Sequence, residues 1–154
     1  MEKPKVFWPA VLGAAVAYWL LGAVWYSPAL FANAWMAAIG KNEAQLKQIS
    51  MVRPMVASFL CDLALAYVLA WLLPRVVQSG SRRAGALRLS ILLSLAFVCG
   101  NLITSYGFEG RPRTLFLING SFAVIGTALM GFILASWRGK AARQLESQAR
   151  AASA

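Results

Sequence analysis

The 154-residue chain has no histidine, two cysteines (Cys61 and Cys99) and only five acidic residues. Without imidazole there is no histidine metal site and no Ser-His-Asp machinery. Two cysteines far apart in sequence make no CxxC redox pair, and both lie in apolar runs where a thiol packs as a small hydrophobe. No nucleotide-binding glycine pattern is present either, so neither a metal nor a cofactor is expected. Charged residues are scarce as well, at 13% against about a quarter in soluble domains.

What fills the space is apolar. Hydrophobic residues make up 60% of the chain and the mean hydropathy is +0.63. That excludes disorder and disfavours a water-soluble fold. Four apolar runs are long enough, by the requirement of about 20 residues, to cross a bilayer. They cover about 6–26, 54–73, 89–106 and 114–137. Pro28 ends the first, Pro54 and Pro74 bracket the second, Arg88 and Gly107 bound the third, and Arg113 and Arg138 frame the fourth. Trp8, Trp25, Tyr26, Tyr106 and Trp137 stand at the edges, as an interfacial aromatic belt requires. The first run is too long for a signal-peptide core, and Trp25-Tyr26 occupies the place of small cleavage-site residues, so it is expected to remain as an anchor. The expected fold is all-α, an integral membrane bundle of four transmembrane helices occupying residues 1–137, followed by a basic tail at 138–154.

The net charge of +10 then reads as topology. Lys3, Lys5, Arg75, Arg82, Arg83, Arg88, Arg138, Lys140, Arg143 and Arg150 fall on one side, and Lys41, Lys47, Arg53, Arg111 and Arg113 on the other. The richer side is cytoplasmic by the positive-inside rule, which places both termini there. The basic residues sit at helix ends with no interleaved aromatic platform, so nucleic acid is not an expected partner. In the first outer loop, Leu30, Phe31, Ala34, Trp35, Ala38 and Ile39 recur at helical spacing, predicting a short interfacial helix that Gly40 stops. Asn42 followed by Gln45 predicts a capping box for a second small helix. The tail is polar enough to stay mobile or to graze anionic lipid.

Small and polar residues recur four apart in each span: Ala10, Ala14, Tyr18, Gly22 and Tyr26; Ser58, Asp62, Ala66 and Ala70; Ser90, Ser94, Phe97, Asn101 and Ser105; Asn119, Ala123, Thr127, Gly131 and Ala135. Such faces let helix backbones approach where no hydrophobic force drives association. From a rise of 1.5 Å per residue, Asp62 lies ~13 Å, Asn101 ~10 Å and Asn119 ~9 Å below the outer surface. An ionised Asp at that depth costs about 3 kcal/mol unless it is paired, hydrated or protonated. Two readings follow. Asp62 is interhelical glue with Asn101, Thr104 or Asn119, or it is a proton, cation or ligand site in a pocket open to the outside. Glu109 and Arg111, on the short outer turn, are solvated charge or the lid of that pocket, and Tyr26 lies beside its mouth.

The run Trp25-Tyr26-Ser27-Pro28 with Phe31, Trp35 and Gly40, then Glu109, Arg111 and Pro112, then Phe116-Leu117-Ile118-Asn119 and Met130-Gly131, resembles a family of small bacterial four-helix membrane proteins, domain of unknown function seventeen-sixty-one. The resemblance covers nearly the whole chain and implies a bacterial inner-membrane location. It carries no activity. Ala123 stands where the family pattern has a histidine, so any proton handling by that histidine is not implied here. Three functions remain: binding or passing a small amphiphilic or charged ligand through an outward-facing pocket lined by Asp62, Asn101, Asn119, Tyr26, Glu109 and Arg111; a structural or accessory subunit of a membrane complex; or a membrane enzyme using Asp62 or Glu109 as acid or base. Expected partners are membrane lipids and either a second copy of the chain or another membrane protein.

Overall fold

The computed structural model describes residues 6–77 and 80–152, with side chains as far as Trp137. The topology readings from Lys3, Lys5 and Ser79, and from the side chains of Arg138, Lys140, Arg143 and Arg150, lie outside the described residues. The described chain is all-α, without a strand, and four of its helical stretches are long and apolar enough to cross a membrane.

Helix α1 (Trp8–Trp25) carries Pro9 in its first turn, where a missing N–H costs nothing. Beyond Tyr26, Pro28 prevents continuation and the chain turns into α2 (Ala32–Ile39), the expected interfacial helix. Gly40 closes it at φ 69°, in the left-handed region that favours glycine. The capping box forms as expected at α3 (Glu43–Lys47): the Gln45 N–H donates to Asn42 Oδ1 at 2.9 Å and the Asn42 N–H to Gln45 Oε1 at 3.0 Å.

The remaining crossings run beyond the bounds expected from sequence. Helix α4 (Val52–Val76) continues two residues past Pro74. A proline costs the helix one hydrogen bond, to the carbonyl four residues earlier, and the turn around it still closes. The third crossing starts with α5 (Arg82–Leu93), whose N-cap Ser81 accepts from the Ala84 N–H, rather than at Leu89. It passes through a π-helical segment, Ser94–Cys99, into α6 (Gly100–Phe108). The fourth, α7 (Arg113–Ala152), keeps a helical backbone well past Trp137.

The crossings alternate in direction, and α7 packs against all three others. Contacts along α1 and α7 run in opposite order: Gly13 meets Trp137, Tyr18 meets Gly126, Gly22 meets Phe122, and Trp25 meets Ile118. Helix α4 lies on α1, with Trp8 stacked on Tyr67 at 5.5 Å and Trp19 edge-on to Phe59 at 6.3 Å. The third crossing packs on α7, where the Thr127 hydroxyl reaches the Ser90 carbonyl at 3.4 Å and the Cys99 thiol the Gly120 carbonyl at 3.9 Å.

Two kinds of packing hold the bundle. At the end where α1 begins and α4 finishes, here the proximal end, the core is built largely of alanines (Ala10, Ala14, Ala66, Ala70, Ala86 and Ala135), joined by Leu69, Met130 and Leu134. Small side chains gain van der Waals contact by letting helices come close. At the opposite, distal end, rings do the packing: Phe122 touches Tyr18, Trp25 and Tyr26 at 4.9, 6.1 and 5.4 Å. The expected polar ladders are largely buried in α1 and α7 and hold only in part elsewhere: on α4, Ala66 and Ala70 are buried and Ser58 is exposed. In the third crossing, Ser90 and Ser94 are buried, while Phe97 is 73% exposed and Asn101 exposed. The π-turn that starts at Ser94 takes more residues per turn than an α-helix. The four-residue ladder therefore rotates out of the interface and Cys99 replaces it.

Candidate functional site

The residues expected to form one outer pocket separate into three groups. Tyr26 and Asn119 meet at the distal end. The Tyr26 hydroxyl donates to Asn119 Oδ1 at 2.8 Å, and Asn119 Nδ2 donates to the Tyr106 hydroxyl oxygen at 2.8 Å. One amide thus ties the end of α1 and the third crossing to α7. Beside it, Trp25 Nε1 donates to the Ile118 carbonyl at 3.2 Å. Trp35 of α2 stands edge-on to Tyr26 at 5.7 Å, and Phe31 lies on Trp25 at 4.8 Å. These rings pack against one another as a half-buried cap, here the distal seal. Tyr106, expected with Trp25 and Tyr26 in the aromatic belt, is the member that joins it from the third crossing.

Glu109 and Arg111 do pair, with Arg111 Nε 2.8 Å from Glu109 Oε2, on a turn where both stay about half exposed. An ion pair so well solvated contributes little to stability, and neither side chain hydrogen-bonds to the distal seal. Asn101 faces away from the bundle, where its Oδ1 accepts from Ser105 at 3.4 Å. The π-turn put it there. Asp62 is half-buried on α4, on the side of Tyr18 of α1. It has no hydrogen bond or ion pair among the described residues and is joined to neither amide. Ser58, one turn away, is exposed and donates to the Met55 carbonyl at 2.9 Å. Cys61 is also exposed, not packed as expected.

Among the described residues the structure opens elsewhere, at both ends of the bundle. Between α1 and α4, in the distal half, a groove of about 400 Å³ is lined by Val16, Trp19, Leu20, Met55, Val56 and Phe59, among others. It is apolar and faces sideways, the ordinary environment of a lipid acyl chain. At the proximal end, a cavity of about 380 Å³ lies where all four crossings meet. Ala70, Ala86 and Ala135 line it with small side chains, and Phe7, Leu73 and Leu134 with larger ones. Pro74 also lines it and has no N–H to offer the carbonyl of Ala70 one turn back. Arg82 stands at the rim, exposed, as the first residue of α5.

The cavity follows from the same small residues that let the helices approach. Alanines pack where helices are in contact, and they leave room where helix ends diverge. Among the described residues no acidic side chain lines it. From sequence, these positions read only as interface alanines and topology charges. The one signal available was Pro74 within a helix, facing Ala70 one turn back.

Residues 9–135 match the family described as protein of unknown function (DUF1761). No curated protein and no solved structure matches the chain.

Proposed function

Since the chain belongs to the DUF1761 family, which brings no activity with it, function has to be read from its own geometry, and we propose that it is a multi-pass membrane protein that binds a small amphiphilic molecule at its proximal end. The observation that carries this reading is the cavity of about 380 Å³ among all four crossings. Its size falls in the range of small-molecule sites, about 300–1,000 Å³, and such sites are mostly apolar with a few polar groups. Here the apolar side chains are those of alanine, leucine, valine, proline and phenylalanine, and the polar side chain is that of Arg82. The mouth lies at the ends of the spans, at head-group depth. By the lysine and arginine count, this end faces the cytoplasm.

The test is retention. The chain is extracted gently, and native mass spectrometry compares wild type with Ala135→Leu, which puts a larger side chain into the lining. A bound small molecule on wild type and its loss from the variant, at equal abundance and helicity, support the reading. Equal retention by both refutes it.

Asp62 favours a second reading, assembly with another chain. A half-buried carboxylate without a hydrogen bond or ion pair in its own bundle calls for an outside partner, because an ionised Asp in the bilayer costs about 3 kcal/mol. Under this reading Asp62→Asn changes the copy number or the copurifying companion while the monomer stays folded. An unchanged particle rules it out.

A further inference from the structure

We infer that the ligand of the proximal cavity is a single-chain amphiphile with an anionic head, a carboxylate or a phosphate, held by Arg82; this rests on the binding reading above. Among the described residues, Arg75, Arg82 and Arg83 stand at the ends of α4 and α5 here, and two of them are engaged elsewhere. Arg75 lies over the Trp71 ring at 3.9 Å and donates to the Trp71 carbonyl. Arg83 lies over the Phe132 ring at 5.6 Å. Arg82 alone of the three lines the cavity. A guanidinium presents parallel N–H donors that match the two oxygens of a carboxylate or phosphate.

The described charge around it is one-sided. Among the described residues no acidic side chain lines the cavity, and the acidic groups with described side chains, Glu43, Asp62 and Glu109, belong to α3, mid-α4 and the distal turn. An anion at the rim therefore meets the Arg82 cation with no described carboxylate beside it, whereas a cationic head meets repulsion. Apart from Arg82, the described lining residues carry apolar side chains, which suits an alkyl chain. About 380 Å³ is near the lower limit for small-molecule sites, so the space takes one chain rather than two. The interfacial position of Arg82, at the start of a crossing, matches a head at the water boundary with its chain directed inward.

The experiment uses the full chain in nanodiscs of zwitterionic lipid and measures equilibrium binding of three labelled probes: dodecanoate, dodecyl phosphate and the neutral dodecanol. In wild type at least one anion binds about tenfold more tightly than the alcohol, the effect of one charge-assisted contact. Arg82→Gln lowers that anion to the level of the alcohol and leaves the alcohol unchanged, and Arg82→Lys restores part of the preference. A stronger response to dodecanoate identifies a fatty-acid source, and a stronger response to dodecyl phosphate a phospholipid-derived one. Ala135→Leu, or independently Val77→Trp at the rim, weakens all three probes. If Arg82→Gln binds the anions as wild type does, or wild type does not prefer either anion to the alcohol, the head-group assignment is wrong while the cavity reading stands. If wild type retains none of the probes, or both cavity-filling variants retain all of them undiminished, the cavity reading itself is wrong.

Discussion

Replacing Gly126 by alanine tests whether the α1–α7 interface is as close as described. A Cβ built on Gly126 falls 2.3 Å from Cε2 of Tyr18, 2.6 Å from Cδ2 and 3.1 Å from Cζ. Carbon atoms in favourable contact sit about 3.5–4.0 Å apart, so more than an ångström must be found. Tyr18 has little freedom to supply it. The ring is 9% exposed and rests on Phe122 at 4.9 Å. Overpacking of this kind costs about 1–3 kcal/mol, and alanine returns up to about 1 kcal/mol of helix propensity. A net loss of about 1–2 kcal/mol follows, read as the midpoint of reversible unfolding in mixed micelles. Gly22→Ala is the matched control, because its Cβ meets Phe122 at 3.4 Å, ordinary contact; it leaves the midpoint unchanged or slightly raised. Combining Gly126→Ala with Tyr18→Leu recovers part of the loss, since a branched chain clears the new methyl. Gly126→Ala as stable as Gly22→Ala would refute the close approach, and with it the packing register of α7.

Asn119→Leu removes both hydrogen bonds of the distal seal. With about 0.6 kcal/mol for each intramembrane bond, unfolding measurements show a loss of about 1 kcal/mol, while Tyr26→Phe and Tyr106→Phe each lose about half as much; no change in any of them contradicts the tie. Topology is checked in a chain with Cys61 and Cys99 replaced by alanine. Single cysteines at Phe108, 91% exposed, and at Ser81 react with impermeant thiol reagent from opposite sides, Phe108 from outside; labelling from one side breaks the four-crossing arrangement. At α3, the hydrogen bond from Lys47 and then its charge hold the Glu43 carboxyl below its ordinary value of 4.5, with Nζ and Oε1 2.7 Å apart. A depressed carboxyl contributes its stability above the ordinary value and loses it as pH falls through the folded-state value. Protection of the Gln45 amide, its exchange rate compared with the intrinsic rate at each pH, therefore stays constant through neutral pH and falls below about pH 4.5, and Lys47→Met abolishes that acid limb.

Residue chemistry read along the chain determined that the protein is helical, that it crosses the membrane four times, and where α2 and the Asn42 capping box stand. These features depend on local quantities: apolar length, the lost N–H of proline, the left-handed tolerance of Gly40. The exact helix ends were less legible. Pro74 is accommodated within α4 and Arg82 begins the third crossing, because neighbouring helices favour turns that local propensity leaves open.

Which polar groups meet was decided only by tertiary structure. Asn119 finds Tyr26 and Tyr106, as one expected site residue among the six joined to another through the seal. Asn101 does not join them, because six π-helical residues, Ser94–Cys99, turn its face outward. A wide turn of this kind leaves composition and hydropathy unchanged, so no periodicity count detects it. The proximal cavity escaped for a related reason: it is the space between Ala10, Pro74, Arg82 and Leu134, residues from four different helices. Sequence states what each helix presents, but empty volume is a property of how far apart the helices stand.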